Sequence, residues 1–217
     1  MAQDLRLQNV FPFILTRISE IKPDTFLDYA CGDASFSAMA RPHVKGAIFA
    51  YDLYSAVRDG ARKTLANVQG ASLIEITSAL PDGPINLIVL NAAWMCFEDA
   101  EQCNEILAEM HRLLKPGGRL IASVTHPAFR HHQFASHETD FDVTNYFSSG
   151  HPFTVYVGGK DAPSGTWNDF HWTVADHINQ LIAAGLQIAR MDELPDVERG
   201  GKRATGSQWI VIEAVKP

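Results

Sequence analysis

The chain has 217 residues, 46% of them hydrophobic, with a net charge of −7 and a pI of about 5.7. This length and apolar content suit one globular domain with a full core, and the acidic balance without a Lys/Arg run argues against nucleic acid as the main partner. No apolar stretch approaches the length of a membrane span, residues 1–4 do not read as a secretory leader, and the three cysteines (Cys31, Cys96 and Cys103) have no paired or metal-type spacing. The expectation is a cytoplasmic protein with reduced thiols and no metal ligand set.

In chain order, residues 5–21 read as an amphipathic helix with Val10, Phe13, Ile14 and Ile18 on one face, broken or started by Pro12. A short apolar run over 26–29 predicts a first strand. The small residues Ala30, Gly32 and Ala34 follow as a turn, and Ser35 is placed to cap the next helix, which stops near Arg41-Pro42. Strand, small-residue turn and helix start form a ligand cradle, because small side chains let a ligand approach free backbone N–H groups.

Strands are then expected over 46–51, 71–76 and 85–90, with a helix over 55–67. Residues 99–114 predict a helix, with Asp99 and Gln102 at capping-box spacing and Cys103, Ile106, Leu107, Met110 and Leu114 on one face. Lys115-Pro116-Gly117-Gly118 is a stop signal before a fifth strand over 119–125. Residues 126–172 carry no clear period but are rich in aromatics and histidine, which favours an ordered functional segment over disorder. A helix capped by Thr173, with Ile178, Leu181 and Ile182 inward, ends at Gly185. Strands over 186–191 and 208–214 close the chain, joined by a charged, glycine-rich loop.

Alternating strands and helices imply a parallel, doubly wound sheet, with ligands beyond the carboxyl ends of its strands. The residues there are 30–33, Asp52, 77–79, 91–94 and His126. Asp52 follows Asp28 at roughly the spacing of an acid that accepts both ribose hydroxyls of a bound nucleoside, which leaves the cofactor class open. Dinucleotide enzymes use G-x-G-x-x-G, and only Gly32 of that pattern is present.

Leu27-Asp28-Tyr29-Ala30-Cys31-Gly32-Asp33-Ala34 resembles the first motif of class I S-adenosylmethionine-dependent methyltransferases of the small-molecule type. Ser78-Ala79-Leu80-Pro81, the run 85–91 and Leu113-Leu114-Lys115-Pro116-Gly117-Gly118-Arg119-Leu120 are similar to later motifs of the same family. The resemblance implies a Rossmann-like, seven-stranded sheet whose last strand runs antiparallel, and S-adenosyl-L-methionine as cofactor. It implies that the backbone around Ala30, Cys31 and Gly32 holds the methionine part and that Asp28 neutralises its ammonium. Asp52, with Leu53 beside it, would take the ribose. Ser78 and Ala79 would border the adenine, and Asn91, followed by Ala92, would offer its carbonyl to the cofactor's amino group. Ala30 and Ala34 replace two glycines of the motif, and alanine disfavours positive φ, so the cofactor fits if both keep ordinary backbone angles.

The resemblance further implies methyl transfer to a small organic acceptor, on O or N rather than C. Residues 127–172, inserted within a single domain spanning 1–217, are expected to cover the substrate. Trp94, Phe129, Tyr146, Tyr156, Trp167 and Trp172 are the candidate pocket lining. His126 and His171 are the candidate bases, expected close together, with His126 ranked ahead. The other readings are a catalytically inactive cofactor-binding module and a nicotinamide-dependent oxidoreductase. A monomer or homodimer without membrane or nucleic-acid partners completes the expectation.

Overall fold

The structure, a computed structural model, describes residues 5–197 and 206–217. Residues 1–4, read above for a leader, and most of the charged connection between the last two strands lie outside them.

The expected first helix is two elements: a 3-10 turn, Leu5–Gln8, and α1 (Val10–Ile21). Asn9 divides them and accepts from the Val10 N–H as N-cap. Pro12 sits in the first turn of α1, where its missing N–H costs nothing. Then β1 (Thr25–Tyr29), α2 (Ser35–Ala40), β2 (Ala47–Tyr51), α3 (Ser55–Leu65), β3 (Ala71–Ile74), β4 (Ile85–Asn91), α4 (Ala100–Leu113) and β5 (Leu114–Thr125) follow. An insert supplies β6 (His137–Thr139), β7 (His151–Val157) and β8 (Thr166–His171), and the chain ends with α5 (Val174–Ala183), β9 (Gln187–Pro195) and β10 (Ser207–Val215).

Seven strands form one sheet in the order β3-β2-β1-β4-β5-β10-β9. The pairings among β1 to β5 are parallel, whereas β10 runs antiparallel to both β5 and β9. Period-two alternation divides the core between the two faces. Ile88 and Leu90 of β4 pack with α4 and α5 residues such as Leu107 and Leu181, and Leu87 and Val89 pack with Ile14 and Phe36 of α1 and α2. Helices cover both faces, so the carboxyl ends of β1, β2, β4 and β5 are the open rim.

Four local expectations are corrected. Ser35 is not the cap of α2: Ala34 holds that position, and Asp33 accepts from the Ser35 N–H instead. The Pro116-Gly117-Gly118 stop lies inside the irregular start of β5, where Gly117 donates to the Lys216 carbonyl and a Cβ on Gly118 would fall 2.8 Å from the Lys115 oxygen. Leu114 accordingly begins β5 and Leu113 is the buried helical residue. On α5 Leu181 is buried and Ile178 packs on the core as expected, but His177 is the other buried residue and Ile182 is 57% exposed.

The insert has regular structure that its sequence hides. β6, β7 and β8 form a second, antiparallel sheet with a small core of Phe141, Phe153 and Val155. On β8 the buried residues are Asp169 and His171. A strand whose inward positions are polar shows no apolar alternation, so the periodicity signal vanishes.

Candidate active site

The cradle is built by backbone shape. Ala30, Gly32 and Ala34 have φ of 63°, 56° and 60°, so the two alanines adopt the left-handed conformation of the glycines they replace. The condition of ordinary angles is therefore not met, and the turn keeps a glycine-like shape despite the two methyl groups. The strain is about 1–2 kcal/mol per alanine. A Cβ on Gly32 would meet nothing within 4 Å, so the turn opens onto free space. Cys31 turns its side chain away from that space into a cluster with Ala34, Ala50, Ala61 and Leu65, which leaves only its backbone for a ligand.

Asp52, 6% exposed, ties the loops together. Its Oδ2 accepts from the Gly32 N–H at 2.8 Å and its Oδ1 from the Tyr54 N–H at 2.9 Å. Each oxygen retains acceptor capacity for a hydroxyl. Leu53 and Ile76 lie 54% and 60% exposed at the ends of β2 and β3, and Ser78 and Ala79 are exposed beside them. Exposed aliphatic side chains at a sheet rim suit a flat base. Asp28 is buried, and Ser37 donates to its Oδ2 at 2.6 Å. Burial raises its pKa to about 7, Ser37 opposes the rise, and Asp52 adds to it. Asn91 accepts from the Ser123 hydroxyl at 2.6 Å, and Ala92 follows with φ 55°.

The insert places a second set of groups at the same rim. Arg130 is 2% exposed, with its guanidinium 4.7 Å over the Phe153 ring. Its Nη1 donates to Thr125 at 3.0 Å, whereas Nε and Nη2 are buried without a partner among the described residues. Asp169 is 3% exposed and accepts at Oδ1 from the Trp167 indole at 3.1 Å. The Cys96 thiol reaches the same oxygen at 3.8 Å. Burial raises the Asp169 pKa to about 6, against the pull of Arg130. Cys96 follows β4 in the turn Trp94–Cys96, so this contact joins the end of the main sheet to β8 of the insert.

His171 is fully buried, donates from Nε2 to the Tyr146 carbonyl at 2.7 Å and stacks on Phe141. Its Nδ1 is buried without a partner, and burial followed by the Arg130 charge lowers its pKa to about 4. His126 differs. Its Nδ1 accepts from the Ala128 N–H at 3.2 Å and its Nε2 meets Glu193 at 2.7 Å. With one nitrogen accepting from the backbone and the other against a carboxylate, it has no free lone pair. The two histidines therefore occupy separate neighbourhoods, without a mutual contact among the described residues.

Of the expected pocket lining, Trp94 and Trp172 belong to the main core instead. Trp94 is fully buried against His177, and Trp172 donates to the Phe97 carbonyl. Tyr146 tilts against His171 and Trp167 is 49% exposed beside Asp169. Tyr156 is half-buried on β7, opposite Thr166, and Phe129 packs on His126. Arg130 and Asp169 were not singled out in the sequence. The one available signal was Arg130 as the insert's lone arginine; Asp169 is one of its four aspartates and carried no signal of its own. Among the described residues no group of three or more His, Cys, Asp or Glu side chains is arranged to hold a metal.

Residues 27–122 match the family described as a methyltransferase domain. This stretch is a methyltransferase domain of the class I S-adenosylmethionine-dependent type. An N-demethylindolmycin N-methyltransferase from Streptomyces griseus is 25% identical over 177 residues, 78% of this chain and 72% of that protein. Among solved structures, a protein from Listeria monocytogenes assigned to the S-adenosylmethionine-dependent methyltransferases superposes with a TM-score of 0.71 at 19% identity, covering 95% of this chain and 98% of that one. The N-methyltransferase NodS from Bradyrhizobium japonicum WM9, in complex with S-adenosyl-L-homocysteine, gives 0.63 at 15% identity, covering 100% of this chain and 94% of its own. S-adenosyl-L-methionine is the cofactor, and the glycine-like turn, the open space at Gly32 and the exposed Leu53 and Ile76 fit it. None of the methyltransferase's described helices is long and apolar enough to cross a membrane.

Proposed function

We propose that this methyltransferase methylates a small organic acceptor, on nitrogen or oxygen, held between the cradle and the insert. The observation that carries the reading is the set of buried polar side chains Arg130, Asp169 and His171 in the insert, with the Cys96 thiol from the end of β4 against the Asp169 carboxylate. A buried polar group is costly unless something satisfies it, and three in one place suit a polar ligand. The N-methyltransferase from Streptomyces griseus favours nitrogen as the accepting atom.

When bound, the cofactor supplies an electrophilic methyl group on a sulfonium sulfur. The chain's own residues do the rest. The turn at Ala30, Cys31 and Gly32 holds the methionine portion, and Asp28 faces the ammonium. Asp52 takes the ribose, Leu53, Ser78 and Ala79 border the base, and Asn91 and Ala92 close the cradle. The insert excludes water and fixes the acceptor for in-line attack.

Where a proton must leave, Asp169 takes it. Both observed contacts of Asp169 fall on Oδ1, leaving Oδ2 for an acceptor N–H or O–H. Its pKa of about 6 keeps it ionised at neutral pH and close to the range in which a base works best. His171 is a weaker base, and its free Nδ1 is suited to accepting a hydrogen bond that orients the acceptor. His126, with both nitrogens engaged, ties the insert to the sheet.

The test is transfer of a radiolabelled methyl group from S-adenosylmethionine into a cell lysate fractionated by size. Label is expected in the small-molecule fraction, and label found only in protein or nucleic acid would overturn the reading. Failure to bind S-adenosylhomocysteine by calorimetry would do so as well.

A further inference from the structure

Arg130 is placed as though for a partner that the described residues do not supply. Its Nη1 is used by Thr125, its own carbonyl accepts from Thr139, and one face of the guanidinium lies on Phe153. What remains is Nε and Nη2, both buried and both without a hydrogen bond. These two nitrogens form one edge of the guanidinium, whose parallel N–H bonds match the two oxygens of a carboxylate. Asp169 acts on this charge electrostatically, yet its contacts go to Trp167 and Cys96 and it does not close an ion pair with Arg130.

An unpaired buried guanidinium carries a large desolvation cost. It is retained here where Thr125 at the end of β5 and Phe153 of β7 hold the guanidinium, and Thr139 of β6 holds the Arg130 main chain through its carbonyl. A guanidinium held at one nitrogen and on one face, with one edge free, is the arrangement of a pre-organised receptor rather than of a structural ion pair.

We infer that the free edge of Arg130 binds a carboxylate carried by the methyl acceptor, so that the acceptor class is a small carboxylic acid bearing a nitrogen or oxygen nucleophile. Capture of the carboxylate stands on Arg130 itself, and its use in orienting an acceptor rests on the methyl-transfer reading above. A bidentate pair fixes the anion in the guanidinium plane and leaves the acceptor's other end to reach Asp169. The unpaired edge also gives specificity. An acceptor with an amide or ester in place of the carboxylate leaves the buried charge uncompensated, which penalises it more than the loss of one contact.

The experiment observes the Arg130 Nε–H directly by 15N NMR in protein saturated with S-adenosylhomocysteine. Its resonance is identified by the ring-current shift from Phe153, so the assignment does not depend on a variant. The probes are acetate, benzoate and phenylacetate against acetamide, benzamide and phenylacetamide. The expected result is a saturable downfield displacement with at least one carboxylate and none with its amide. No displacement by any of the three acids, or equal displacement by acids and amides, overturns the inference. In turnover with an acceptor panel, Arg130→Lys should raise KM about tenfold or more for carboxylate acceptors and leave cofactor affinity unchanged. Normal S-adenosylhomocysteine binding and turnover with a silent Arg130 would reject the carboxylate site while leaving methyl transfer intact. The converse, a responsive Arg130 without turnover, would reject methyl transfer alone.

Discussion

The backbone N–H of Gly32 donates to Oδ2 of Asp52 across 2.8 Å, so the turn after β1 and the end of β2 move as one unit. The carboxylate that resembles the family's ribose acceptor is therefore also a brace for the cradle. Asp52→Ala should reduce S-adenosylhomocysteine affinity by about 2–4 kcal/mol, from lost charge-assisted bonds partly replaced by water. It should also cost about 1–3 kcal/mol of stability, because the Gly32 and Tyr54 N–H groups lose their acceptor. Asp52→Asn, which retains one carbonyl oxygen, should lose less of both. Calorimetry and urea denaturation on the same preparations separate the two effects, and undiminished affinity in folded Asp52→Ala would remove Asp52 from the cofactor site.

Ala30 and Ala34 allow a comparison at matched backbone angles. Both are left-handed, but Ala34 is fully buried in the cluster with Ala50, Ala61 and Leu65, whereas Ala30 is half-buried. Ala30→Gly should stabilise the fold by about 0.5–1 kcal/mol, relief of left-handed strain exceeding the entropy that glycine returns to the unfolded chain. Ala34→Gly should be near neutral, because it also forfeits about 0.8 kcal/mol of methyl burial. Denaturation midpoints test the order, and a destabilised Ala30→Gly would contradict the strain.

The pH response of Asp28 has a definite sign. Burial raises its pKa from 3.8 to about 7, so the folded chain binds its proton more tightly than the unfolded chain does. That contribution is fully present below pH 3.8 and is lost as pH rises from there to about 7. Roughly 4 kcal/mol is the upper bound on the change. Cofactor affinity should run the other way. A carboxylate facing an ammonium must be ionised, so S-adenosylhomocysteine should bind more tightly as pH rises to about 7 and then level off. Asp28→Asn should flatten both curves, and a wild-type affinity independent of pH between 5 and 8 would show that Asp28 does not face the ammonium.

How much of this was legible beforehand differs between sheet and insert. β4 was readable because Leu87, Ile88, Val89 and Leu90 form a continuous apolar run, the mark of a strand buried on both faces. Alternation along the main sheet, with caps at Asp99 and Thr173, placed the cradle residues on one rim before any coordinates. The backbone angle at Ala30 was not readable, since alanine votes against positive φ and only the surrounding structure imposes it. Arg130 and Asp169 were hidden for a related reason. Their meaning lies in being buried, and burial of a charged residue is contrary to its composition. The ranking of His126 above His171 used position in the chain, whereas the distinction lies in which nitrogen keeps a free lone pair.

That distinction leads to the test of the base. Asp169, His171 and His126 make different predictions for the pH dependence of turnover. Asp169 titrates near 6 and His171 near 4, the first through burial opposed by Arg130 and the second through burial reinforced by it. If Asp169 takes the proton, kcat/KM rises with pH through about 6 and is flat above. If His171 took it, the rise would lie near 4, below the usual working range. Asp169→Asn preserves shape and acceptor capacity at one oxygen but cannot take a proton, so kcat should fall about 10²–10³-fold with cofactor affinity unchanged. The rise near 6 should vanish in that variant. The stability sign is an independent check: with a raised carboxyl pKa, the folded chain loses stability as pH climbs from 3.8 to about 6, and Asp169→Asn should remove that slope. His126→Ala should instead cost about 1–2 kcal/mol of stability, from the lost bond to the Ala128 N–H and the lost Glu193 contact, with kcat within a few-fold of wild type. Full activity in Asp169→Asn together with collapse in His126→Ala would reverse the assignment and return the base to the end of β5.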